Sequence, residues 1–317
     1  MSTAETHDAG PRLKPLGAAD VRDLSTKSNL PGVVRAASHY GMIVIVGALI
    51  WLVSSRYGLA WAVPLIAVQG YFVAFLFMVV HETAHKTAFR SRALNLAVGN
   101  LSAFMIGLPY EYYCLFHWDH HRYTQDPEKD PELIVGPTPS SDTQLAIAYS
   151  GLLQVLVRIR LMLRHAVTGK VTVPWIPEAK RASIVMEARL YLAGYLLLLG
   201  ASLALHTAIL FWVWLVPLLA GQLILRPYLY AEHTGCERTR SAFENTRTTM
   251  TGRIMKWFAW NMPYHVEHHA YPTVPFHALP KLNAIVDGHI MYRGSNYRAV
   301  TRETWAWFRR QRQSADA

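Results

Sequence analysis

The chain has 317 residues, of which 52% are apolar and only 16% charged, and its formal net charge is +10. This composition excludes a disordered chain and reads against a soluble domain, in which about a quarter of the residues are charged. Two cysteines, Cys114 and Cys236, are too few for a disulfide framework, a cysteine-ligated iron–sulfur cluster or a cysteine-rich zinc site.

Residues 1–30 are polar and carry Pro11 and Pro15 without the basic and apolar segments of a signal peptide, so they read as a cytoplasmic tail. Four uncharged stretches follow, at 36–53, 59–80, 190–205 and 207–225. Each approaches or reaches the roughly 17–25 apolar residues that span a hydrocarbon core. The links at 54–58 and around His206 are short, so the stretches pair into two helical hairpins. Segment 93–109 is interrupted by Asn95, Gly99, Asn100, Ser102 and Gly107, and is expected to be re-entrant or interfacial. Segment 143–164 mixes aliphatic residues with Arg158, Arg160 and Arg164, as an amphipathic interfacial helix does.

Basic residues avoid the apolar stretches and crowd the connecting segments and the C-terminus, where Arg302, Arg309, Arg310 and Arg312 lie. A nucleic-acid binder instead carries a basic stripe with interleaved aromatics, and no nucleic-acid partner is expected. With four spans, Arg56 is the only Lys or Arg in an outer loop, which puts both termini and the long polar segments in the cytoplasm. The expected fold is therefore an all-α, multi-pass integral membrane protein with four transmembrane helices in two hairpins and a cytoplasmic helical cap. Residues 31–290 form the membrane domain, between the tail 1–30 and a basic cytoplasmic tail 291–317.

Three boxes hold eight of the fifteen histidines: His81-Glu-Thr-Ala-His85, His117-Trp-Asp-His120-His121 and His265-Val-Glu-His268-His269. Residues three or four apart share a helix face, so each box presents at least two imidazoles to one point. His233, just after the fourth stretch, is a ninth candidate. All nine lie at or beyond the cytoplasmic ends of spans. Imidazole suits zinc, copper, iron and nickel, and nine ligands are too many for one ion but fit two. The first box alone matches the His-Glu-x-x-His of zinc proteases, with Glu82 as general base, but that reading leaves the other boxes unexplained. A metal carrier would place ionisable groups near the bilayer midplane, where these spans have almost none.

The spacing His-x3-His, His-x2-His-His, His-x2-His-His, with apolar hairpins between, resembles the membrane fatty acid desaturase/hydroxylase family. The text around the boxes is also similar: His121-Arg122-Tyr123-Thr124-Gln125-Asp126-Pro127, Asn261-Met262-Pro263-Tyr264-His265 and Tyr271-Pro272-Thr273-Val274-Pro275. The resemblance covers about residues 36–285. It implies two iron ions held by His81, His85, His117, His120, His121, His233, His265, His268 and His269, with O2 as co-substrate. It implies a lipophilic acyl substrate reached from the bilayer and an external electron donor, a ferredoxin or similar protein with its reductase. The implied activity is O2-dependent fatty acyl desaturation; a hydroxylase or an oxidative decarboxylase is the alternative. Animal acyl-CoA members carry an asparagine one turn before the lone histidine, where this chain has Leu229; either the tenth contact is absent or another group such as Asn261, one turn before His265, supplies it.

An unactivated C–H bond has no acidic proton, so the metal centre must carry that step while the protein positions the chain. Glu82, Asp119, Asp126, Asp130, Glu232 and Glu267 are candidates to receive the outer N–H of the ligating histidines. Trp257, Phe258, Trp260 and Tyr264 are candidates for an acyl tunnel or interfacial anchors, and Asn245 and Arg247 for a substrate carboxylate or headgroup.

Overall fold

The computed structural model describes residues 15–134 and 139–315, so the first part of the N-terminal tail lies outside it. Its helices are α1 (Ala18–Leu24), α2 (Leu30–Tyr57), α3 (Leu59–Ala84), α4 (Arg92–Met105), α5 (Tyr110–Tyr123), α6 (Pro131–Ile134), α7 (Asp142–Ser150), α8 (Leu152–Thr168), α9 (Glu178–Ala204), α10 (Val216–His233), α11 (Ala242–Asn245), α12 (Arg253–Phe258), α13 (His265–Ala270), α14 (Leu279–Val286) and α15 (Tyr297–Ala315). A π-helical turn, Phe211–Leu215, leads into α10. Among the described residues the extended structure is one parallel pair, β1 (Arg247–Thr249) with β2 (Tyr292–Gly294), in which Thr248 faces Arg293.

Four helices are long and apolar enough to cross a membrane: Leu30–Tyr57, Leu59–Ala84, Glu178–Ala204 and Phe211–His233. They run beyond the apolar stretches of the sequence. α9 begins twelve residues before Leu190 and carries Lys180, Arg181, Glu187 and Arg189 in that extension. Helical geometry continues past the apolar core because charged side chains at a span's end reach polar surroundings.

α2 passes into α3 through Gly58 alone, whose φ of 94° is a conformation that L side chains rarely adopt. α3 is apolar on all faces and forms the centre of the bundle, with α2, α4, α5 and α10 packed around it. α9 packs chiefly on α8. The contact between α3 and α10 is made by two glycines. A Cβ on Gly221 would fall 2.0 Å from the Gly70 carbonyl oxygen, and one on Gly70 would fall 2.8 Å from the Pro217 carbonyl oxygen. From this crossing His81 is eleven residues up α3 and His233 twelve residues up α10. At 1.5 Å per residue both rise about 17–18 Å, so the two helices deliver their histidines to one level.

The segment expected to be re-entrant is α4, which turns at Gly107–Pro109 into α5 with a bend of 100°. The turn returns the second histidine box to the first: the His81 and His117 ring centroids are 4.3 Å apart. The single amphipathic helix expected over 143–164 is instead two helices, α7 and α8, bent by 63° at Gly151. There α10 approaches so closely that a Cβ on Gly151 would lie 2.6 Å from Arg226 Cγ. In the C-terminal segment, α15 lies against α10 and α7, with Arg309 and Arg312 paired to Asp142 and Tyr149 Oη 2.5 Å from Thr304 Oγ1.

Gly221→Val should overpack the α3–α10 crossing and cost at least about 1–3 kcal/mol, read as a lower Tm in detergent. Gly47→Ala is the control, because a Cβ there meets only Gln69 at 3.4 Å and Val213 at 3.8 Å. Equal melting of the two variants would contradict the close-contact role of Gly221.

Candidate metal centre

All nine candidate histidines converge, from four helices. The last turn of α3 gives His81, with His85 as its capping residue; α5 gives His117, His120 and His121; α10 ends in His233; α13 gives His265, His268 and His269. Their nitrogens form two groups, within each of which one nitrogen per residue lies within 4.8 Å of the others. One is His81, His85, His117, His121 and His268; the second is His120, His233 and His269. His265 joins the second group through its Nε2, 3.1 Å from His233 Nε2. The groups adjoin: His121 and His269 stack with centroids 4.0 Å apart and planes at 11°. Seven of the nine are buried, and His121 and His269 are half-buried.

The arrangement fits metal ions better than hydrogen bonding. His117 Nε2 lies 2.7 Å from His85 Nε2 and 3.1 Å from His121 Nε2, and His121 Nε2 is 3.2 Å from His268 Nε2. In the other group His120 Nε2 is 3.2 Å from His233 Nε2. A neutral imidazole has one N–H and one lone pair, so one ring nitrogen cannot serve two such neighbours. Both nitrogens of His81 and the Nε2 of His269 are buried with no hydrogen-bond partner among the described residues. Orphaned buried nitrogens are costly unless something else binds them.

The outer nitrogens fix the rings. His120 Nδ1 is 2.9 Å from Asp130 Oδ1, and Asp130 is itself held by the backbone N–H groups of Gln125 and Glu132, each at 2.9 Å. His233 Nδ1 donates to the Asn245 carbonyl at 3.2 Å. Glu232 Oε1 lies 3.4 Å from His265 Nδ1, and Thr124 Oγ1 3.4 Å from His269 Nδ1. An Nδ1–H held outward leaves the Nε2 lone pair pointing in. His117, His121, His265, His268 and His269 are held well below the ordinary histidine range, first by burial and then by neighbouring imidazoles, so they stay neutral and able to ligate. Burial also opposes charge on His120, but Glu132 and Asp130 outweigh it and raise His120 to about 9. A metal at His120 therefore displaces a proton.

The six carboxylates expected behind the rings divide. Asp130 bonds His120, and Glu232 approaches His265 Nδ1 to 3.4 Å without a hydrogen bond. Glu267 is held by Thr248 Oγ1 at 2.5 Å and by Asn283, which anchors α13 to β1 and α14. Glu82 accepts the Phe276 N–H at 3.1 Å, tying the chain after the third box to the first. Asp126 caps its own turn through the Glu128 N–H, and Asp119 pairs with exposed Arg122, so neither meets a candidate ligand. Sequence reasoning missed Thr124, Thr248, Asn283 and the Asn245 carbonyl, none of which carries a sequence signal of its own.

Other expectations are corrected. Arg247 donates to the Ala231 carbonyl at 2.7 Å, and Asn245 donates to the Thr239 carbonyl at 2.9 Å, so both serve the fold. Asn261 Nδ2 donates to the Phe276 carbonyl at 2.9 Å, and Leu229 packs against the core. Trp260 is buried against Phe276, whereas Trp257 is partly exposed and donates to Ser38 Oγ.

Residues 32–301 match the family model described as fatty acid desaturase. Among curated relatives, the chain is 26% identical over 284 residues to dihydrorhizobitoxine desaturase of Bradyrhizobium elkanii, covering 81% of this chain and 75% of the relative. It is 26% identical over 223 residues to zeaxanthin 4-ketolase of Chlamydomonas reinhardtii, covering 69% of this chain but only 43% of that protein. It is 26% identical over 262 residues to sphingolipid delta(4)-desaturase/C4-monooxygenase DES2 of Rattus norvegicus, covering 77% and 72% respectively.

Asp130→Asn should weaken metal binding at the His120 group about 10–100-fold and leave the five-histidine group filled, as read by metal titration of the purified protein. Unchanged affinity at both groups would contradict the role given to Asp130.

Proposed function

The chain belongs to the fatty acid desaturase family and is an oxidoreductase, and from that premise we propose that it is an O2-dependent di-iron desaturase that introduces a double bond into a lipid acyl chain. The observation that carries this reading is the convergence of nine imidazoles on two adjoining points. His81, His85, His117, His121 and His268 would hold one iron, and His120, His233, His265 and His269 the other. Bound there, the irons supply O2 activation and removal of hydrogen from an unactivated carbon.

The protein's own part is to orient the rings. Asp130 and the Asn245 carbonyl hold the His120 and His233 ring planes through Nδ1, so their inward nitrogens are set before any metal arrives. Tyr113 stacks on His117 with centroids 5.2 Å apart, and Trp118 covers His85 at 4.8 Å. The position of the acyl chain then decides whether a second hydrogen leaves, giving the alkene, or oxygen is returned to carbon. Hydroxylation or oxidative decarboxylation is the second reading, favoured by the ketolase and the desaturase/C4-monooxygenase among the relatives.

The four long helices cross the membrane as two hairpins, with the histidine centre in a cytoplasmic cap. Residues 31–290 form the membrane domain, and 1–30 and 291–317 are cytoplasmic tails. The support is charge: Arg56, in the last turn of α2, is the only Lys or Arg at the joined ends of the paired spans. Electrons come from a separate donor, a ferredoxin or similar protein with its reductase. A chain of net charge +10 attracts an acidic donor by electrostatic steering.

Purified protein given O2, a reductase–ferredoxin pair and mixed lipids should yield products lighter by two hydrogens in mass spectrometry. Products heavier by one oxygen would replace desaturation with hydroxylation. His268→Ala should abolish turnover and lower iron content while the protein still inserts; wild-type iron and turnover in that variant would remove the basis of the reading. Turnover at limiting ferredoxin should fall as salt is raised from low ionic strength, and a salt-independent rate would count against a charge-steered donor.

A further inference from the structure

Two half-buried arginines lie in the helical body and form no salt bridge among the described residues. The inward face of α8 runs through Val155, Met162 and His165, and this spacing sets Arg158 in its middle. On α10, Arg226 lies seven residues before His233, two turns away on the same face. The Nε atoms of both arginines are buried and have no hydrogen-bond partner among the described residues. The two guanidinium groups are within electrostatic reach of each other.

Their surroundings are polar and also unsatisfied. Gln222 is fully buried; its Nε2 donates to the Leu218 carbonyl at 3.2 Å, and its Oε1 is left alone, as is Gln154 Oε1. The bend between α7 and α8 closes directly over the group: a Cβ on Gly151 would lie 3.2 Å from Gln222 Oε1 and 2.6 Å from Arg226 Cγ. Among the described residues one carboxylate reaches the pair electrostatically, that of Glu132 toward Arg226. Glu132 is shared, since its Oε2 is 4.0 Å from His120 Nδ1. Two arginines, one in a span and one facing it, thus divide a single carboxylate with an imidazole. A buried N–H without a partner is costly, and the fork of a guanidinium matches a carboxylate or phosphate.

We infer that Arg158 and Arg226 receive the carboxylate of the substrate, which makes that substrate a free, single-chain acid rather than a neutral ester. A carboxylate fits better than a lipid headgroup phosphate because the pair lies on the His233 face of α10, about 10 Å from that ligand by helical rise. An acid anchored there has its chain beside the metal centre. The inference rests on the desaturase reading for the identity of its ligand as substrate.

The test is binding without turnover. Full-length protein in phosphatidylcholine nanodiscs is titrated with labelled dodecanoate and with dodecanol of the same length. Dodecanoate should bind about 10–100-fold more tightly, the worth of a hydrogen bond to a charged group. Arg158→Gln with Arg226→Gln should erase that difference while dodecanol binding and metal content persist, and Arg158→Lys should retain part of it. Equal affinities in the wild type, or an undiminished acid preference in the double variant, would overturn the inference. Loss of dodecanoate binding when phosphatidylglycerol replaces phosphatidylcholine would also overturn it, by assigning the pair to anionic headgroups. Should the double variant fail to insert, the wild-type comparison and Arg158→Lys still decide. A protein that binds the acid but makes no product would count against the desaturase reading alone.

Discussion

Nine imidazole nitrogens brought together in a buried volume cannot satisfy one another. Each neutral ring offers one donor and one lone pair, and burial together with mutual repulsion keeps most of these rings from protonating. Such a cluster persists only if the surrounding fold forces it and a ligand rewards it. The forcing is visible in the helix ends. The Gly70–Gly221 crossing brings α3 and α10 to one level, the 100° bend between α4 and α5 returns the second box to the first, and Glu267, through Thr248 and Asn283, fixes the third. The outward nitrogens of His120 and His233 have a carboxylate and a carbonyl partner, where the inward nitrogens have only each other.

Much of this was legible in the sequence, for a physical reason. Ligand chemistry restricts residue type to histidine, and helical periodicity restricts spacing, so the three boxes carry their geometry in their text. His233 was found by its position at the end of an apolar stretch. The four long helices follow from uncharged runs that nothing but an apolar environment or a protein core accommodates. Residues 93–109 were expected to be re-entrant or interfacial so that two boxes stay together, and the 100° bend between α4 and α5 brings the His81 and His117 rings within 4.3 Å.

What escaped depends on pairs of distant segments or on backbone atoms. Gly70 and Gly221 are 151 positions apart, and neither looks unusual until the helices meet. The Asn245 carbonyl that orients His233 belongs to every residue type alike. Six carboxylates near the boxes looked equivalent, but only backbone turns decide that Asp130 reaches a ring and Asp126 caps its own turn. Gly151 breaks a continuous amphipathic pattern because α10 needs the space. Arg158 was read as part of the polar face of an interfacial helix, and it faces inward because its stripe is shared with Val155 and Met162.

The central claim is that two adjoining imidazole groups hold two iron ions. The most direct measurement is the metal content of the purified full-length protein, per chain, by elemental mass spectrometry. This account expects two irons per chain. One zinc per chain, or no retained transition metal in a folded protein, would contradict it.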